Sequence, residues 1–122
     1  PVYLSNECIN GCRYCGFNSQ SKIERKTLSV DDAVRDANII MDTGHRNILL
    51  VSGEHPKHVT VDYISSVAGE IRKRAASITI EVQPFDEASY EKLKDAGVDG
   101  VTMYQETYDE KTYAAMHPYG PK

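Results

Sequence analysis

Apolar residues repeat along this chain with two alternating periods. In some segments they recur every three or four residues, the spacing of a helix with one buried face. In others they alternate with polar residues or form a short continuous run, as in a buried strand. The pattern predicts strands at residues 2–4, 48–51, 78–82 and 101–104, and helices at residues 30–43, 63–71, 87–96 and 110–116.

Two of the predicted helices carry recognisable end signals. Ser29 precedes the first helix with Asp32 three residues later, an Asp variant of the capping box. Gly44 stands just past the end of that helix, where a left-handed residue is expected. Asp86 and Gly97 bracket the third helix in the same way. The local signals therefore support the boundaries that the periodicity predicts.

Strands that alternate with helices predict an α/β fold, with right-handed βαβ units and a parallel sheet. A complete barrel of eight such units takes ~250 residues, or ~31 residues per unit, so this chain holds about four units. That number fits either a partial (β/α) barrel or a small open sheet. The continuous apolar run at residues 48–51 predicts a strand covered on both faces. We expect the chemistry in the loops that follow the strands.

Composition and charge restrict the functional classes. The chain has 122 residues, of which 40% are hydrophobic and 26% charged, values of a single globular unit without a separate second domain. Fourteen basic and 18 acidic residues give a net charge of −4 and are interspersed, so a nucleic-acid partner is disfavoured. No apolar run is long enough to span a membrane, and no signal peptide is evident. A cytoplasmic location is expected.

The most informative segment is the loop after the first predicted strand, at residues 5–17. It contains all three cysteines, Cys8, Cys12 and Cys15, in the spacing C-x3-C-x2-C. Three thiolates at this spacing can hold three irons of a [4Fe-4S] cluster and leave the fourth iron open. The alternatives are a zinc site, completed by a histidine, or three buried thiols; structural zinc, however, favours paired C-x2-C ligands. The histidines available for zinc are His45, His55, His58 and His117.

The cysteine loop carries a family resemblance. C-x3-C-x2-C with an aromatic residue, Tyr14, before the last cysteine resembles the signature of the radical S-adenosylmethionine (SAM) enzymes. Its position after the first strand of a (β/α) fold is the one that this family uses. The resemblance implies a partial parallel (β/α) barrel of the radical SAM type, with residues 1–122 as part of its core. It also implies a [4Fe-4S] cluster and SAM as cofactors.

A narrower resemblance extends over nearly the whole chain, to the aromatic-amino-acid lyase branch of that family. It is strongest to the tyrosine lyases of thiazole biosynthesis, and the tyrosine lyases of hydrogenase maturation are the alternative. The segments at residues 53–55 and 81–84 favour the thiazole group. The matching segments are residues 1–6, 15–17, 25–28, 50–55, 81–84 and 104–108.

The resemblance implies a reaction. A 5′-deoxyadenosyl radical made from SAM takes a hydrogen atom from L-tyrosine, whose Cα–Cβ bond then breaks. The products are 2-iminoacetate (dehydroglycine), p-cresol, 5′-deoxyadenosine and methionine, and the 2-iminoacetate serves the thiazole moiety of thiamine. Implied partners are L-tyrosine, a reductant such as flavodoxin or ferredoxin, and thiazole synthase.

The same resemblance assigns further site residues. The cysteines are assigned to the cluster, and Gly53 and Glu54, after the second strand, match a pair that meets the SAM amino group. Glu81 and Tyr108 are candidates for substrate contact. By contrast, Arg25 and Lys26 are predicted to form a solvated charge cluster, and His55 and His117 to be ordinary polar loop residues. The full set of expected cofactor-binding residues is Tyr14, Gly53, Glu54, Gln83, Gln105 and Glu106.

Family members use about six βα units, so the later units would complete the SAM and tyrosine pockets. The fourth strand would be an unpaired edge. We therefore expect residues 1–122 alone to be able to bind a cluster but not to cleave tyrosine. The hypothesis from another functional class is a small zinc-binding module, which would be colourless and would not act on SAM.

Overall fold

A computed structural model describes all residues from Pro1 to Lys122, and strands and helices alternate throughout it. The four strands form one sheet in the order β1-β2-β3-β4, and every neighbouring pair is parallel. The predicted α/β fold class is therefore confirmed. The elements are β1 (Val2–Ser5), α1 (Val30–Asp42), β2 (Asn47–Ser52), α2 (Val61–Ile71), β3 (Ser77–Glu81), α3 (Glu87–Asp95), β4 (Gly100–Val101) and α4 (Glu110–Met116).

The helices begin where short polar side chains cap them. Ser29 accepts a hydrogen bond from the backbone N–H of Asp32, and Asp86 accepts one from Ser89, as the sequence predicts. Gly44 and Gly97 lie just past the ends of α1 and α3 with φ of 99° and 102°, a left-handed conformation that other residues rarely adopt. Local sequence signals thus determine these helix ends.

One face of the sheet packs on the helices and forms the core. Alternate residues of the first three strands point to this face, so they are buried together. The parallel register places Leu50 of β2 between Val2 of β1 and Ile80 of β3. The helices contribute residues such as Ala37 and Ile64 to the same cluster. The core strand residues are Val2, Leu4, Ile48, Leu50, Ile78 and Ile80.

The opposite face of the sheet is only partly covered. Leu49 and Val51 are half-buried and Tyr3 is 57% exposed, so the prediction that β2 is covered on both faces is wrong. The four-stranded sheet is open and does not close into a barrel. This open face corresponds to the side that would line the interior of a closed (β/α) barrel.

Strand β4 is shorter than the predicted segment at residues 101–104. It contains only Gly100 and Val101, although Thr102 still donates a backbone hydrogen bond to the carbonyl of Ile80. Met103 and Tyr104 are exposed. Because β3 ends at Glu81 and no fifth strand pairs with β4, nothing holds these residues in the sheet. No helix of the structure has the length and apolar character needed to cross a membrane.

Leu50→Ala should lower the free energy of unfolding by about 2–5 kcal/mol, because Leu50 is fully buried in the central part of the core. Leu49→Ala, one residue away on the open face, should cost clearly less. Urea unfolding followed by far-ultraviolet circular dichroism measures both. Equal losses in the two variants would contradict the packing described here.

Candidate active site

The carboxyl ends of the parallel strands lie at one edge of the sheet, and the loops that follow them come together there. The longest loop, residues 6–29, contains the cysteines. The shorter loops, residues 53–60, 82–86 and 102–109, follow β2, β3 and β4. Every residue that the sequence assigns to the site, except Glu81 at the end of β3, belongs to one of these loops.

The cysteines are free thiols at different depths. Cys12 is buried, whereas Cys8 and Cys15 are half-buried, and none forms a disulfide. The backbone N–H of Cys15 donates to the carbonyl of Cys12 at 3.2 Å, so the C-x2-C segment forms a tight turn. Both ends of this segment therefore face the same small region.

Burial raises the pKa of the Cys12 thiol above its ordinary value, and the charges of the neighbouring Cys15 and Cys8 raise it further. The nearby Lys122 and a hydrogen bond with Tyr14 act in the opposite direction but do not outweigh burial. Neighbouring thiolates repel one another. A cationic metal centre would remove that repulsion and favour the deprotonated ligands.

Arg25 holds the cysteine loop together. Its guanidinium donates hydrogen bonds to the backbone carbonyls of Asn6, Phe17, Asn18 and Ser21, at up to 3.2 Å. The prediction that Arg25 belongs to a solvated charge cluster is therefore wrong, although Lys26 is exposed. Only a planar group with several N–H donors can bind so many carbonyls at once. Arg25 thus connects the start of the loop with its far side.

Gly53 allows the cysteine loop and the loop after β2 to touch. A Cβ atom on Gly53 would lie 2.4 Å from the carbonyl oxygen of Glu7 and 3.0 Å from Cβ of Cys8. Backbone hydrogen bonds of 2.9 Å run from Gly53 to the carbonyl of Ser5 and from Ile9 to the carbonyl of Glu54. The glycine is therefore needed for the close approach of the two loops.

The carboxylate of Glu54 lies beside the cysteine loop. One of its oxygens accepts a hydrogen bond from the side-chain amide of Asn10 at 2.9 Å. Asn10 is almost fully buried, and its amide oxygen accepts from the backbone N–H of Lys122 at 3.1 Å. Sequence reasoning missed Asn10, because an asparagine between cysteines carries no signal of its own.

A segment after α4, residues 116–122, returns to the cysteine loop. Gly11 donates its backbone N–H to the carbonyl of Tyr119, and Arg13 donates to that of Met116, both at 2.9 Å. The ring of Tyr119 packs so closely on Gly11 that a Cβ there would lie 2.3 Å from it. This returning segment therefore covers one side of the cysteine loop.

His117 belongs to this returning segment and is buried. Its Nδ1 lies 2.8 Å from the carbonyl of Tyr113, which can only accept, so Nδ1 carries a proton. In the neutral ring Nε2 then accepts the hydrogen bond from the Tyr14 hydroxyl at 2.7 Å. The prediction that His117 is an ordinary polar loop residue is wrong, since it positions Tyr14 beside the cysteines.

Glu106 lies next to this pair. One of its oxygens is 3.0 Å from Nζ of Lys122 and the other is 3.7 Å from Nε2 of His117. Burial acts to raise the pKa of Glu106, but the Tyr14 hydroxyl and the Lys122 ammonium outweigh it and hold the pKa below its usual value. Burial, and after it the adjacent carboxylate of Glu106, raises the pKa of Tyr14 strongly, so its hydroxyl keeps its proton.

Gln83 is buried, and both the oxygen and the nitrogen of its side-chain amide bind the loop after β2. Its oxygen accepts from the backbone N–H of His55 and its nitrogen donates to the carbonyl of Val59, each at 2.8 Å. The amide therefore fixes the segment that follows Glu54. In this arrangement Gln83 acts on a ligand only through that segment.

The remaining predicted residues lie farther from this network. Glu81 is half-buried on the open face of the sheet, opposite the buried Ile80 and Val82. Gln105 is exposed and contacts only the carbonyl of Thr107, at 3.3 Å. Tyr108 is 86% exposed. The structure does not bring Gln105 or Tyr108 to the cysteines, because the chain leaves the sheet after the short β4.

These residues fit an iron-sulfur cluster and its ligand. Three free thiols lie on one loop, which Arg25 and the returning segment hold in place, and the side chain of Glu54 is hydrogen-bonded to that loop. Cysteine thiolates are the usual ligands of iron-sulfur clusters. The cluster would be held by Cys8, Cys12 and Cys15.

The sequence profile of the Radical SAM superfamily matches residues 2–122, and the chain belongs to that superfamily. Members of the superfamily use a [4Fe-4S] cluster and SAM, the cofactors that the resemblance implies. The predicted family and fold are confirmed. The assignment of individual residues to the two cofactors stays a prediction.

Within the superfamily, the chain is similar to a 2-iminoacetate synthase and to a hydrogenase maturase. The chain is 46% identical to 2-iminoacetate synthase of Escherichia coli (strain K12) over 122 residues, all of this chain and 32% of that protein. It is 30% identical to the [FeFe] hydrogenase maturase subunit HydE of Thermotoga maritima over 118 residues, 96% of this chain and 34% of that one. The chain thus spans about a third of the length of these relatives.

Solved structures show the same architecture. A crystal structure of HydG, a maturase of the [FeFe]-hydrogenase, superposes with a TM-score of 0.93 at 33% identity, over 99% of this chain and 28% of that one. The HydG of Carboxydothermus hydrogenoformans gives a TM-score of 0.92 at 35% identity, over 99% and 29% of the two chains. Methylornithine synthase (PylB), at 24% identity and a TM-score of 0.79 over 94% of this chain and 35% of that one, shares the fold.

Cys12→Ala should abolish cluster binding, because two thiolates cannot hold the three irons of an open cluster. After anaerobic reconstitution, iron and acid-labile sulfide should fall to background and the broad visible absorbance should disappear. Circular dichroism controls for folding. Full iron content in the folded variant would refute the assignment.

Arg25→Lys should weaken retention of the cluster, because an ammonium cannot replace the bonds that the guanidinium makes to separate carbonyls. Hydrogen bonds to charged groups contribute about 1.5–3 kcal/mol, so the loss of two should reduce retention about tenfold or more. Iron release to a chelator measures this. Arg35→Lys, on the exposed face of α1, is the matched control and should have no effect.

Proposed function

We propose that this chain is part of a radical SAM tyrosine lyase. The enzyme cleaves the Cα–Cβ bond of L-tyrosine to 2-iminoacetate and p-cresol, and SAM is converted to 5′-deoxyadenosine and methionine. The observation that carries the proposal is the 46% identity to 2-iminoacetate synthase across the whole chain. The adjacent cysteine and Gly-Glu loops supply the local chemistry that such an enzyme needs.

The chain's own residues have distinct tasks in this proposal. Cys8, Cys12 and Cys15 hold the cluster, which supplies, together with bound SAM, the radical that attacks the substrate. The carboxylate of Glu54 accepts hydrogen bonds from the SAM amino group, and a charged acceptor makes such bonds stronger than neutral ones. Gly53 holds that carboxylate against the cysteine loop, since its missing side chain allows the 2.9 Å bond to Ser5.

Three further residues are assigned to the cofactor because of where they lie in the structure. Tyr14, fixed by His117, presents its backbone and ring edge at the cysteines, where we assign it to the adenine of SAM. Glu106 is assigned to SAM from the opposite side. Gln83 supports Glu54 by fixing the next residue, His55, through its backbone. Its assignment to the cofactor is therefore indirect.

Substrate contacts are proposed on the open face. Glu81 points from β3 toward the side of the sheet that other βα units would enclose, and its unpaired carboxylate suits the tyrosine amino group. Gln105 and Tyr108 would reach a cofactor or a substrate only if the loop after β4 folds inward. On that basis we assign Gln105 to the cofactor and Tyr108 to the substrate.

The proposal extends to the cellular role. The 2-iminoacetate would serve the thiazole moiety of thiamine, with thiazole synthase as the receiving partner and flavodoxin or ferredoxin as the electron donor. We place the enzyme in the cytoplasm and treat residues 1–122 as part of its radical SAM core, with the cluster loop at residues 5–17. No role for a nucleic acid or a membrane is proposed.

A second candidate is the tyrosine lyase of hydrogenase maturation, which the TM-score of 0.93 with HydG favours. The full-length protein should be incubated anaerobically with SAM, L-tyrosine and a reductant. The thiazole-type enzyme forms p-cresol without carbon monoxide or cyanide. Formation of these gases favours the second candidate. A protein without iron and sulfide, holding zinc through its cysteines, would instead indicate a small zinc-binding module.

Glu54→Gln should reduce SAM affinity about tenfold or more, because a neutral amide replaces the charged acceptor of the SAM amino group. The cluster should remain, since the amide oxygen can still accept from Asn10. Equilibrium binding of SAM together with iron content separates the two effects. Glu70→Gln, on the exposed side of α2, is the matched control. Unchanged affinity in Glu54→Gln would contradict the assignment.

A further inference from the structure

Beside the cysteine loop, three side chains with metal-binding atoms converge. The carboxylate of Glu7 and the imidazoles of His55 and His58 place one donor atom each within 4.8 Å of one another. The two rings stand edge to face, with centroids 4.4 Å apart and an angle of 75° between their planes. None of these atoms belongs to a cysteine, so this group of three side chains is distinct from the cysteine site.

The backbone holds the two histidines on one turn. The N–H groups of His58 and Val59 both donate to the carbonyl of His55 at 3.0 Å, which keeps the two imidazoles adjacent. The start of the turn is fixed from β3, because His55 donates its own N–H to the amide of the buried Gln83. The pair is therefore preorganised before any ligand binds.

Glu7 is fixed from the other side. Its backbone N–H donates to the hydroxyl of Ser5 at 3.1 Å, and its carbonyl packs against Gly53. The close approach that Gly53 permits brings the Glu7 carboxylate from one loop to the histidines of the next. The arrangement thus joins two loops that are far apart in sequence.

The three side chains have almost no other partners. The carboxylate of Glu7 makes no hydrogen bond and no ion pair, whereas most other acidic groups near this edge, such as Glu54 and Glu106, are paired. The single polar contact to either ring is the backbone N–H of Lys57, 3.4 Å from Nδ1 of His55. This contact leaves Nε2 of His55 and both nitrogens of His58 available.

We propose that Glu7, His55 and His58 bind a divalent transition-metal ion of the Zn²⁺ type, separate from the cysteine site. Two imidazoles and one carboxylate are a common donor set for such ions, with the remaining positions taken by water. Ligand atoms of a tetrahedral site lie roughly 3.3 Å apart when their bonds are about 2.0 Å long. His58 is exposed, so rotation of its side chain can close the remaining distance.

The bound ion would cross-link the start of the cysteine loop, one residue before Cys8, to the turn that follows Glu54. This inference does not depend on the proposed tyrosine lyase activity, because it concerns residues with no part in that reaction. Its failure would leave the assignment of the cysteines and of Glu54 unchanged.

The test is zinc binding by the oxidised, cluster-loaded protein, in which the cysteines are already occupied. Anaerobic dialysis against Zn²⁺ should give about one zinc per chain, and X-ray absorption at the zinc edge should show nitrogen and oxygen ligands at about 2.0–2.1 Å. Glu7→Gln and His58→Ala should each weaken binding on the order of tenfold or more, because loss of a ligand costs at least as much as loss of a residue that only supports one.

His45→Ala, on the exposed loop before β2, is the matched control and should bind zinc as the parent protein does. Sulfur neighbours at about 2.3 Å would mean that the zinc is held by the cysteines and would overturn the proposal. Unchanged affinity in both Glu7→Gln and His58→Ala would overturn it as well. Iron content measured in parallel shows that the variants keep their cluster and fold.

Discussion

The site depends on one close contact, that of Gly53 with the backbone of the cysteine loop. Parallel strands bring the loops after β1 and β2 to the same edge of the sheet, but a side chain at position 53 would collide with the carbonyl of Glu7. With glycine there, backbone hydrogen bonds join the loops and Glu54 lies beside Asn10. The cysteine loop and the acidic residue are thereby fixed relative to each other.

At the same edge of the sheet, hydrogen bonds hold the cysteine loop, which has no regular secondary structure. The guanidinium of Arg25 donates hydrogen bonds to loop carbonyls that have no partner in a helix or strand. The carbonyls of Met116 and Tyr119, in the returning segment, accept hydrogen bonds from N–H groups of the loop. Tyr14 is fixed through His117 rather than by packing alone. A cluster loop must be rigid enough to collect three thiolates, and here that rigidity comes from hydrogen bonds to backbone groups.

Much of the fold follows from local pattern, and so does the metal-binding character of the cysteine loop. Caps such as Ser29 and the spacing of the cysteines act within a few residues, so the sequence reveals them directly. The length of β4 and the exposure of Val51 depend on which strands lie next to them, which periodicity does not encode. The role of Arg25 does not follow from the sequence for a similar reason. Its partners are carbonyls of a loop whose path is not visible in the sequence. His117 contacts a residue more than a hundred positions away.

The central claim is that three cysteines hold a cluster whose fourth iron is left for SAM. Electron–nuclear double resonance of the reduced, full-length protein tests it most directly, with SAM labelled by ¹⁵N at its amino group and ¹⁷O at its carboxylate. We expect hyperfine coupling to both labels, because both groups would bind the open iron. A cluster signal that is unchanged by SAM and free of coupling to either label would contradict the account.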